Sequence, residues 1–467
     1  MSKRLFVLIS LVIAASMLLA ACGSAATPAP TQAPAPTTAP TQPPAPTSAP
    51  AAAPTTAPAA TMAMAAPTAF PTYSGSPVAT LKIVSSLPMT GSSLTQNQAI
   101  VNAMQLAVAQ ANGVVCGGKY AISYTPWDDA SAALGKWDPQ VETSNAQKAV
   151  ADKSIVAYLG TFNSGAAELS IPILNGAGPL AMISPANTYP GLTKSVTGIT
   201  ASGEPDKYYP SGVRNFARLA PDDDLQGLVD VKFLGTLGVK TLYILDDQEA
   251  YGKGIADSVA EAAKKAGMTV LGEDGYDPKA ADYKAEMTKI SISNNGNPPD
   301  AIFLGAIIDN NGAQIMKDKA AVMGDNTKVK FLGPDGMYTE AFPSGAGPAA
   351  EGAYASVGGI VFKSLGPIGQ KFLSDYKAKY GPTDPDPYAV YGYDTMGVAL
   401  AALNNVCAAG GDPTDRATVT KAVMATKDYQ GALGSLTFDQ NGDINLPYFV
   451  IGQVQSGAFV QVGQYTP

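Results

Sequence analysis

The chain of 467 residues contains no histidine and only three cysteines. The lack of histidine excludes Ser-His-Asp and Cys-His catalytic groups and most zinc sites. Basic residues number 30 against 38 acidic ones, and no basic patch suits nucleic acid. The sequence also has no Gly-x-Ser-x-Gly elbow and no P-loop. We therefore expect a protein that is not an enzyme and that uses neither a cofactor nor a metal ion.

The first 21 residues have the pattern of a secretory signal peptide. Two basic residues precede an apolar run that ends in Leu19-Ala20-Ala21, and Cys22 follows directly. This pattern resembles the bacterial lipobox, in which the cysteine is lipidated. The apolar run is short for a bilayer span of about 20 residues, so a retained transmembrane anchor is the less favoured alternative. We expect the chain after Cys22 to lie outside the cytoplasm, attached to the membrane by lipid.

Residues 22–76 have the composition of a spacer. After the cysteine they consist almost entirely of Ala, Pro, Thr, Ser and Gln, without a charged side chain. Such a segment has too little bulky apolar surface to offset the entropy of ordering it. Its prolines favour an extended polyproline II-like chain of about 3 Å per residue. We interpret it as a disordered tether between the lipid and the folded region.

From residue 77 onward, β-branched segments alternate with amphipathic helical segments. The predicted strands are 78–85, 120–124, 155–158, 241–245, 269–271, 301–304 and 330–332. The predicted helices are one that ends at Asn112-Gly113, then 141–151, 225–237, 252–266, 283–290 and 312–321. This alternation predicts βαβ units and parallel sheets. Because about 390 residues are too many for one core, we predict an α/β fold with two doubly wound parallel-sheet lobes.

Three loops after predicted strands are candidates for a binding site, because ligands bind at the carboxyl ends of strands in such sheets. These loops are 87–93, 159–165 and 183–188. They offer hydroxyl groups and, where a helix begins, backbone N–H groups that suit a carboxylate. In the alternative interpretation Ser164 and Thr188 only cap helices, as Ser and Thr commonly do.

Cys116 and Cys407 remain if Cys22 is lipidated. In an oxidising compartment two such thiols commonly form one disulfide. Two free, buried thiols are the alternative, and the sequence leaves both open.

Five further segments occur in a characteristic order. They are Met182–Thr193 (MISPANTYPGLT), Leu245–Gly254 (LDDQEAYGKG), Phe331–Gly336 (FLGPDG), Tyr391–Asp394 (YGYD) and Leu436–Asp439 (LTFD). Together they resemble the branched-chain (Leu/Ile/Val) amino-acid binding proteins of ABC importers, and the resemblance extends from about Leu81 to the C-terminus. It implies the type I periplasmic-binding-protein fold and a monomer that delivers a small amphipathic ligand, an amino acid or a relative, to an ABC permease.

The resemblance also implies the domain organisation. Three crossovers would join the lobes, near 218–222, 357–362 and 438–443. Lobe 1 would comprise 77–219 and 361–438, and lobe 2 would comprise 220–360 and 439–467. The ligand would lie in the cleft between them, and the lobes would close on it by hinge rotation.

In lobe 1 the resemblance implies that Ser164 and Thr188 bind the ligand's carboxylate through their hydroxyl groups. The backbone around Ala186 would support Thr188 in this role. Asn163 and Asn187 would add polarity near the pocket.

In lobe 2 the resemblance implies that Asp335 pairs with an α-ammonium group and that Tyr251 closes over the ligand. Tyr388, from lobe 1, would line the side-chain pocket. Position 335 commonly holds Glu in the family, and Ile307 stands where an aromatic residue is usual. These departures leave two alternatives open: binding of amides, urea or aromatic acids by the same fold, or a role as a ligand sensor. Asp335 between proline and glycine could also be a simple turn residue.

Overall fold

The computed structural model describes residues 72–176, 178–359, 361–446 and 448–467. The predicted signal peptide, Cys22 and the tether up to residue 71 lie outside these ranges. Within them, no helix has the length and apolar character needed to cross a bilayer.

The described chain alternates strands and helices. The strands are β1 Ala79–Leu87, β2 Val114–Val115, β3 Tyr120–Asp128, β4 Ala130–Ser131, β5 Lys136–Trp137, β6 Ile155–Gly160, β7 Ala181–Ser184, β8 Phe216–Arg218, β9 Thr241–Asp246, β10 Thr269–Gly275, β11 Ala301–Gly305, β12 Lys330–Gly333, β13 Tyr354–Gly358, β14 Tyr429–Gly431, β15 Gly434–Leu436, β16 Phe449–Gln455 and β17 Ala458–Tyr465. The helices are α1 Leu94–Gln110, α2 Pro139–Ala151, α3 Ser164–Gly176, α4 Asp223–Thr236, α5 Ala250–Lys265, α6 Lys284–Ser291, α7 Gly312–Met323, α8 Ala341–Ala346, α9 Pro367–Tyr380, α10 Tyr388–Ala408 and α11 Arg416–Met424.

Two large sheets organise these elements. The first sheet has the strand order β2-β3-β1-β6-β7-β8, and the second has the order β10-β9-β11-β12-β13-β16-β17. Pairing is parallel from β3 to β8 in the first sheet and from β10 to β13 in the second. Antiparallel pairs occur only at the edges, where β2, β16 and β17 join. The predicted α/β fold with two parallel-sheet layers is confirmed.

The predicted strands and helices all have counterparts, with ends shifted by no more than four residues. Central strands such as β6 and β11 are buried along their whole length, as expected for apolar runs in parallel sheets. At the start of α2, the Asp138 side chain accepts a hydrogen bond from Gln140 N, and Pro139 occupies the first turn. Both features favour a helix start. The pattern did not reveal helix α3, the β4–β5 hairpin or the short strands β2, β8 and β13. It gave no bounds for β7 and made no assignment for the elements after β13.

Helix α10 lies against α1 over much of its length. A Cβ atom at Gly392 would come within 2.7 Å of Ile100 O, so only glycine allows this close approach of the two backbones. Near its C-terminal end, α10 carries Cys407, which forms a disulfide with Cys116. The loop that follows β2 is thereby attached covalently to α10.

Arg218, at the end of β8, is fully buried and links three separate parts of the chain. Its Nε donates to Asp443 Oδ1 at 2.7 Å, and one terminal nitrogen donates to Tyr189 O at 2.8 Å. The other terminal nitrogen donates to Thr193 Oγ1 at 2.6 Å and contacts Asp222 at 3.4 Å. Burial alone would lower the pKa of Arg218, but the carboxylates of Asp443 and Asp222 raise it. The guanidinium therefore holds two predicted crossovers, near 218–222 and 438–443, together.

We predict that Arg218→Met lowers the free energy of unfolding by about 3–5 kcal/mol, because it leaves the largely buried Asp443 carboxylate without its cation. Asp222 keeps its ion pair with Lys194. Urea denaturation measures the change. Arg214→Met is the matched control, since the Asp206 partner of Arg214 is 95% exposed at 3.7 Å. That surface pair is worth less than about 1 kcal/mol. Equal effects of the two substitutions would contradict the role assigned to Arg218.

Asp394 on α10 fixes the turn between β14 and β15. Its carboxyl oxygens accept from Ala432 N at 2.7 Å and from Leu433 N at 2.8 Å. Burial raises the pKa of Asp394 to about 7, although these two hydrogen bonds oppose the shift. The carboxyl is thus easier to protonate in the folded chain than in the unfolded one.

Because the folded chain binds the proton more tightly, the contribution of Asp394 to stability is largest below its unfolded pKa. It is lost as the pH rises from about 4 to about 7. A shift of this size corresponds to about 4 kcal/mol. We predict that Asp394→Asn reduces the fall in unfolding free energy between pH 4.5 and pH 8, as measured by urea denaturation at each pH. The exposed Asp384→Asn should leave the pH profile unchanged. If the unfolding free energy of Asp394→Asn fell with pH as steeply as that of the wild type, Asp394 would not be the source of this pH dependence.

Candidate functional site

The two loops that follow β6 and β7 are held together through Ser184. Its hydroxyl donates to Thr161 O at 2.8 Å and accepts from Ala186 N at 3.0 Å and Asn187 N at 2.7 Å. The Asn187 amide also donates to Phe162 O at 2.9 Å. The backbone N–H groups of Ala186 and Asn187 are therefore already used within the protein, and these residues shape the loops.

The structure brings three other predicted residues to the same place. Ser164 opens α3, and its Oγ accepts from Tyr189 N in the neighbouring loop at 3.3 Å. Asn163 Oδ1 and Thr188 Oγ1 are buried and have no hydrogen-bond partner among the described residues. These two atoms remain able to bind something else, and so does the hydrogen of the Ser164 hydroxyl, since Ser164 Oγ acts only as an acceptor here.

Asp335 lies between two tyrosines that come from distant parts of the chain. Tyr251 OH donates to Asp335 Oδ1 at 2.7 Å and accepts from Gly336 N at 2.9 Å. Tyr388 OH donates to Asp335 Oδ2. Burial raises the pKa of Asp335, while the two tyrosine hydroxyls oppose the shift. The carboxyl oxygens thus contact side chains from α5 and α10, which goes beyond a simple turn residue.

Two contacts connect Asp335 and its tyrosines with the loops of the first sheet. The Phe162 ring meets the Tyr388 ring edge to face, with centroids 5.7 Å apart. Thr188 O accepts from Asp223 N at 3.0 Å, and the carboxyl of Asp223 is close enough to Asp335 to affect its own pKa. The predicted residues therefore form one polar region between the carboxyl ends of the two sheets.

Helix α4 adds polar residues that the sequence analysis did not select. Asp223, Gln226 and Asp230 are buried, and their spacing of three and four residues places them on one helix face. Gln226 donates to Ser356 Oγ at 2.8 Å. The signal was present in the sequence, since a helix with acidic residues at positions i and i+7 of its buried face departs from the usual apolar pattern.

A direct bridge crosses from the second sheet to the first at Asp309, in the turn after β11. Its carboxylate accepts from Ser92 N at 2.5 Å, from Ser93 N at 3.0 Å and from the Ser93 hydroxyl. Ser93 is the N-cap residue of α1. A carboxylate in this position stabilises the positive end of the helix dipole.

A second bridge is made by the hairpin of β4 and β5. Lys136 Nζ donates to Glu249 Oε1 and to Asn310 Oδ1, at 2.5 and 2.6 Å. Trp137 Nε1 donates to the other oxygen of Glu249 at 2.9 Å. Glu249 is the N-cap residue of α5, which also carries Tyr251. The hairpin therefore contacts the helix that presents one of the tyrosines of the site.

We predict that Asp309→Ala loosens the arrangement of the two sheets, because three hydrogen bonds to a carboxylate are lost. The free-energy difference between the closed and open arrangements of the two sheets should change by about 1–3 kcal/mol in favour of the open one. Small-angle scattering should show a larger radius of gyration for the variant. Asp282→Ala, which removes an exposed acidic side chain shortly before α6, serves as the control. An unchanged scattering profile for Asp309→Ala would mean that the bridge does not hold the sheets together.

Comparison with known proteins agrees with this architecture. Residues 80–458 match the family model described as periplasmic binding protein. The Leu/Ile/Val-binding protein homolog 1 of Brucella suis is 25% identical over 389 residues, which cover 83% of this chain and 93% of the relative. The Leu/Ile/Val-binding protein BraC3 of Rhizobium johnstonii is 26% identical over 392 residues, which cover 82% and 95%. The predicted resemblance to branched-chain amino-acid binding proteins is confirmed.

Solved structures share the fold. A leucine binding protein, LivK, of Thermotoga maritima superposes with a TM-score of 0.70 at 22% identity and covers 83% of this chain and 99% of its own. LivJ of Streptococcus pneumoniae in complex with isoleucine has a TM-score of 0.68 at 22% identity, covering 83% and 100%. A solute binding protein of R. palustris in complex with benzoate has a TM-score of 0.67 at 21% identity, covering 83% and 97%.

Proposed function

The chain belongs to the periplasmic binding protein family, and we propose that it is a solute-binding lipoprotein of an ABC importer. Lipid on Cys22 anchors it to the membrane, and the tether carries the folded region away from the surface. It captures an amino acid or a related small amphipathic ligand and presents it to the permease as a monomer. The relatives that share its length are named for binding Leu, Ile and Val, which supports an amino-acid ligand.

The observation that carries this proposal is the buried Asp335 between Tyr251 and Tyr388. A buried carboxylate without a cationic partner is costly, and an ammonium group of a ligand is the partner that an amino acid supplies. The tyrosine hydroxyls orient the carboxylate and line the site. Thr188 and Ser164 then bind the ligand's carboxylate from the loops of the first sheet.

The geometry also suggests how binding leads to closure. We assign 77–219 with 361–438 to one lobe and 220–360 with 439–467 to the other. Asp335 and Tyr251 belong to the second lobe, whereas Thr188 and Ser164 belong to the first. A ligand that contacts both lobes stabilises the closed form, because it lacks half of these contacts in the open form. Micromolar affinity corresponds to a binding free energy of only about -8 kcal/mol.

An aromatic acid is the second candidate ligand, favoured by the Phe162–Tyr388 ring pair beside Asp335. The structural relative in complex with benzoate has the same fold. A buried Asp335 disfavours such an anion, since like charges repel in a low-dielectric site. We therefore favour an amino acid as the ligand and include aromatic acids, amides and urea in the test as alternative ligands.

The test is a thermal-shift screen of the full chain in detergent against amino acids, amides, urea, aromatic acids and sugars. Binding to the folded chain raises the unfolding midpoint by mass action. A shift with α-amino acids supports the proposal, and a shift with aromatic acids or amides alone overturns the ligand assignment. A ligand that is chemically converted during the assay would indicate an enzyme instead.

We predict that Asp335→Asn weakens amino-acid binding by about 2–5 kcal/mol, roughly thirty-fold or more, because the ammonium group loses a buried partner. Titration calorimetry with the best amino acid from the screen measures the change. Asp384→Asn on the surface should bind like the wild type. If Asp335→Asn also retained full affinity while unfolding normally, the residue would not contact the ligand.

A further inference from the structure

Helix α4 turns an acidic face toward the candidate site. Asp223 and Asp230 are both 0% exposed, and Gln226 between them is 1% exposed. Seven residues separate the two aspartates, which corresponds to about 10 Å along a helix axis. The two carboxyls are therefore too far apart to contact the same group, and a molecule beside this helix face would meet them at two different points.

Neither aspartate is paired within the protein. All four carboxyl oxygens of Asp223 and Asp230 lack a hydrogen-bond partner among the described residues. Burial raises the pKa of both carboxyls well above their usual range, and Asp335 adds to the shift in each case. Buried carboxyls in folded proteins are almost always hydrogen-bonded, and the described hydroxyls beside these two are Thr188 at Asp223 and Ser356 at Asp230. Two hydroxyl groups cannot satisfy four carboxyl oxygens, which leaves oxygens able to accept from a ligand.

A separate observation also points to a ligand. The Thr188 hydroxyl faces the carboxyl of Asp223, is 2% exposed and has no partner with hydrogen-bond geometry. It belongs to the loop after β7 and not to the acidic helix. A polar side chain from another element thus points into the same region without a partner of its own.

No described cation forms an ion pair with Asp223 or Asp230, although the charge of Arg218 is close enough to Asp223 to oppose the rise of its pKa. Each of the three nitrogens of Arg218 already donates to another group. The Gln226 amide donates to Ser356, which lies next to Asp230. Within the described ranges, no group of three or more acidic, histidine or cysteine side chains is arranged to hold a metal ion. An organic cation fits this acidic surface better than a metal or an anion.

We propose that Asp223, Asp230 and Asp335, named here the acidic group, select a ligand with two positively charged nitrogen groups, such as a basic amino acid. This inference rests on the proposed function and specifies its substrate class. Asp335 and Asp223 surround the α-ammonium, next to the Thr188 hydroxyl that binds the carboxylate. Asp230, one and a half to two turns further along α4, receives the nitrogen at the end of the side chain.

The experiment compares L-lysine with L-norleucine, which has the same carbon chain without the terminal ammonium. Titration calorimetry on the full chain in detergent measures both ligands for the wild type, Asp230→Asn and the control Asp257→Asn. Asp257 lies on α5 and pairs with Lys253, outside the acidic group. We expect the wild type to bind lysine at least tenfold more tightly than norleucine. Asp230→Asn should bind lysine at least tenfold more weakly than the wild type and norleucine with unchanged affinity. Asp257→Asn should bind both ligands like the wild type.

Equal affinities of the wild type for lysine and norleucine would overturn the inference, and so would an equal loss of both ligands in Asp230→Asn. If Asp230→Asn does not fold, the wild-type comparison still decides, and Asp230→Glu tests whether the charge is needed. Binding of leucine without a preference for lysine would leave the proposed function intact and refute only the acidic group. Absence of binding by any amino acid would refute both.

Discussion

The fold depends on one buried positive charge. Arg218 ends the last strand of the first sheet, and its guanidinium contacts the loop at 189–193 and the carboxylates of Asp222 and Asp443. A guanidinium with no access to water is stable only if its nitrogens are matched by acceptors, and here each nitrogen has one. The loop that carries Thr188 leads directly into this network. Its position therefore follows from the requirement to satisfy a single arginine.

The interior near the cleft contains several buried acidic side chains, whereas the central strands of the two sheets are apolar. The residues of β6 and β11 pack as closely as expected for parallel strands, but α4 presents Asp223 and Asp230 to its neighbours. Burying carboxyls without partners opposes folding. Natural proteins accept such a cost mainly at functional sites, where the group interacts with something other than the protein.

The fold could be predicted from the sequence, and the structure brings most of the predicted site residues close together, but the two predictions depend on different signals. Apolar periodicity predicted most of the strands and helices up to residue 332, because burial in a parallel sheet imposes that pattern, but it missed helix α3. Short strands such as β8 escaped, since three or four residues carry little periodicity. The pairing of Tyr251 and Tyr388 with Asp335 depends on contacts between residues far apart in the chain, which the resemblance could suggest but no local pattern contains. Of the quoted segments, Tyr391–Asp394 acts in packing, through Gly392 against α1 and Asp394 against the β14–β15 turn.

The bond between Cys116 and Cys407 spans 291 positions of the chain. Cys116 leaves the ribosome first, and Cys407 follows only after most of the folded region has been synthesised. The disulfide therefore cannot guide the early arrangement of the sheets, and it closes only on a chain that is almost complete. It also encloses Ser164, Thr188, Tyr251, Asp335 and Tyr388 in one covalent ring, since all of them lie between the two cysteines. A single cut by a protease in any loop of this ring leaves both fragments attached to each other under oxidising conditions.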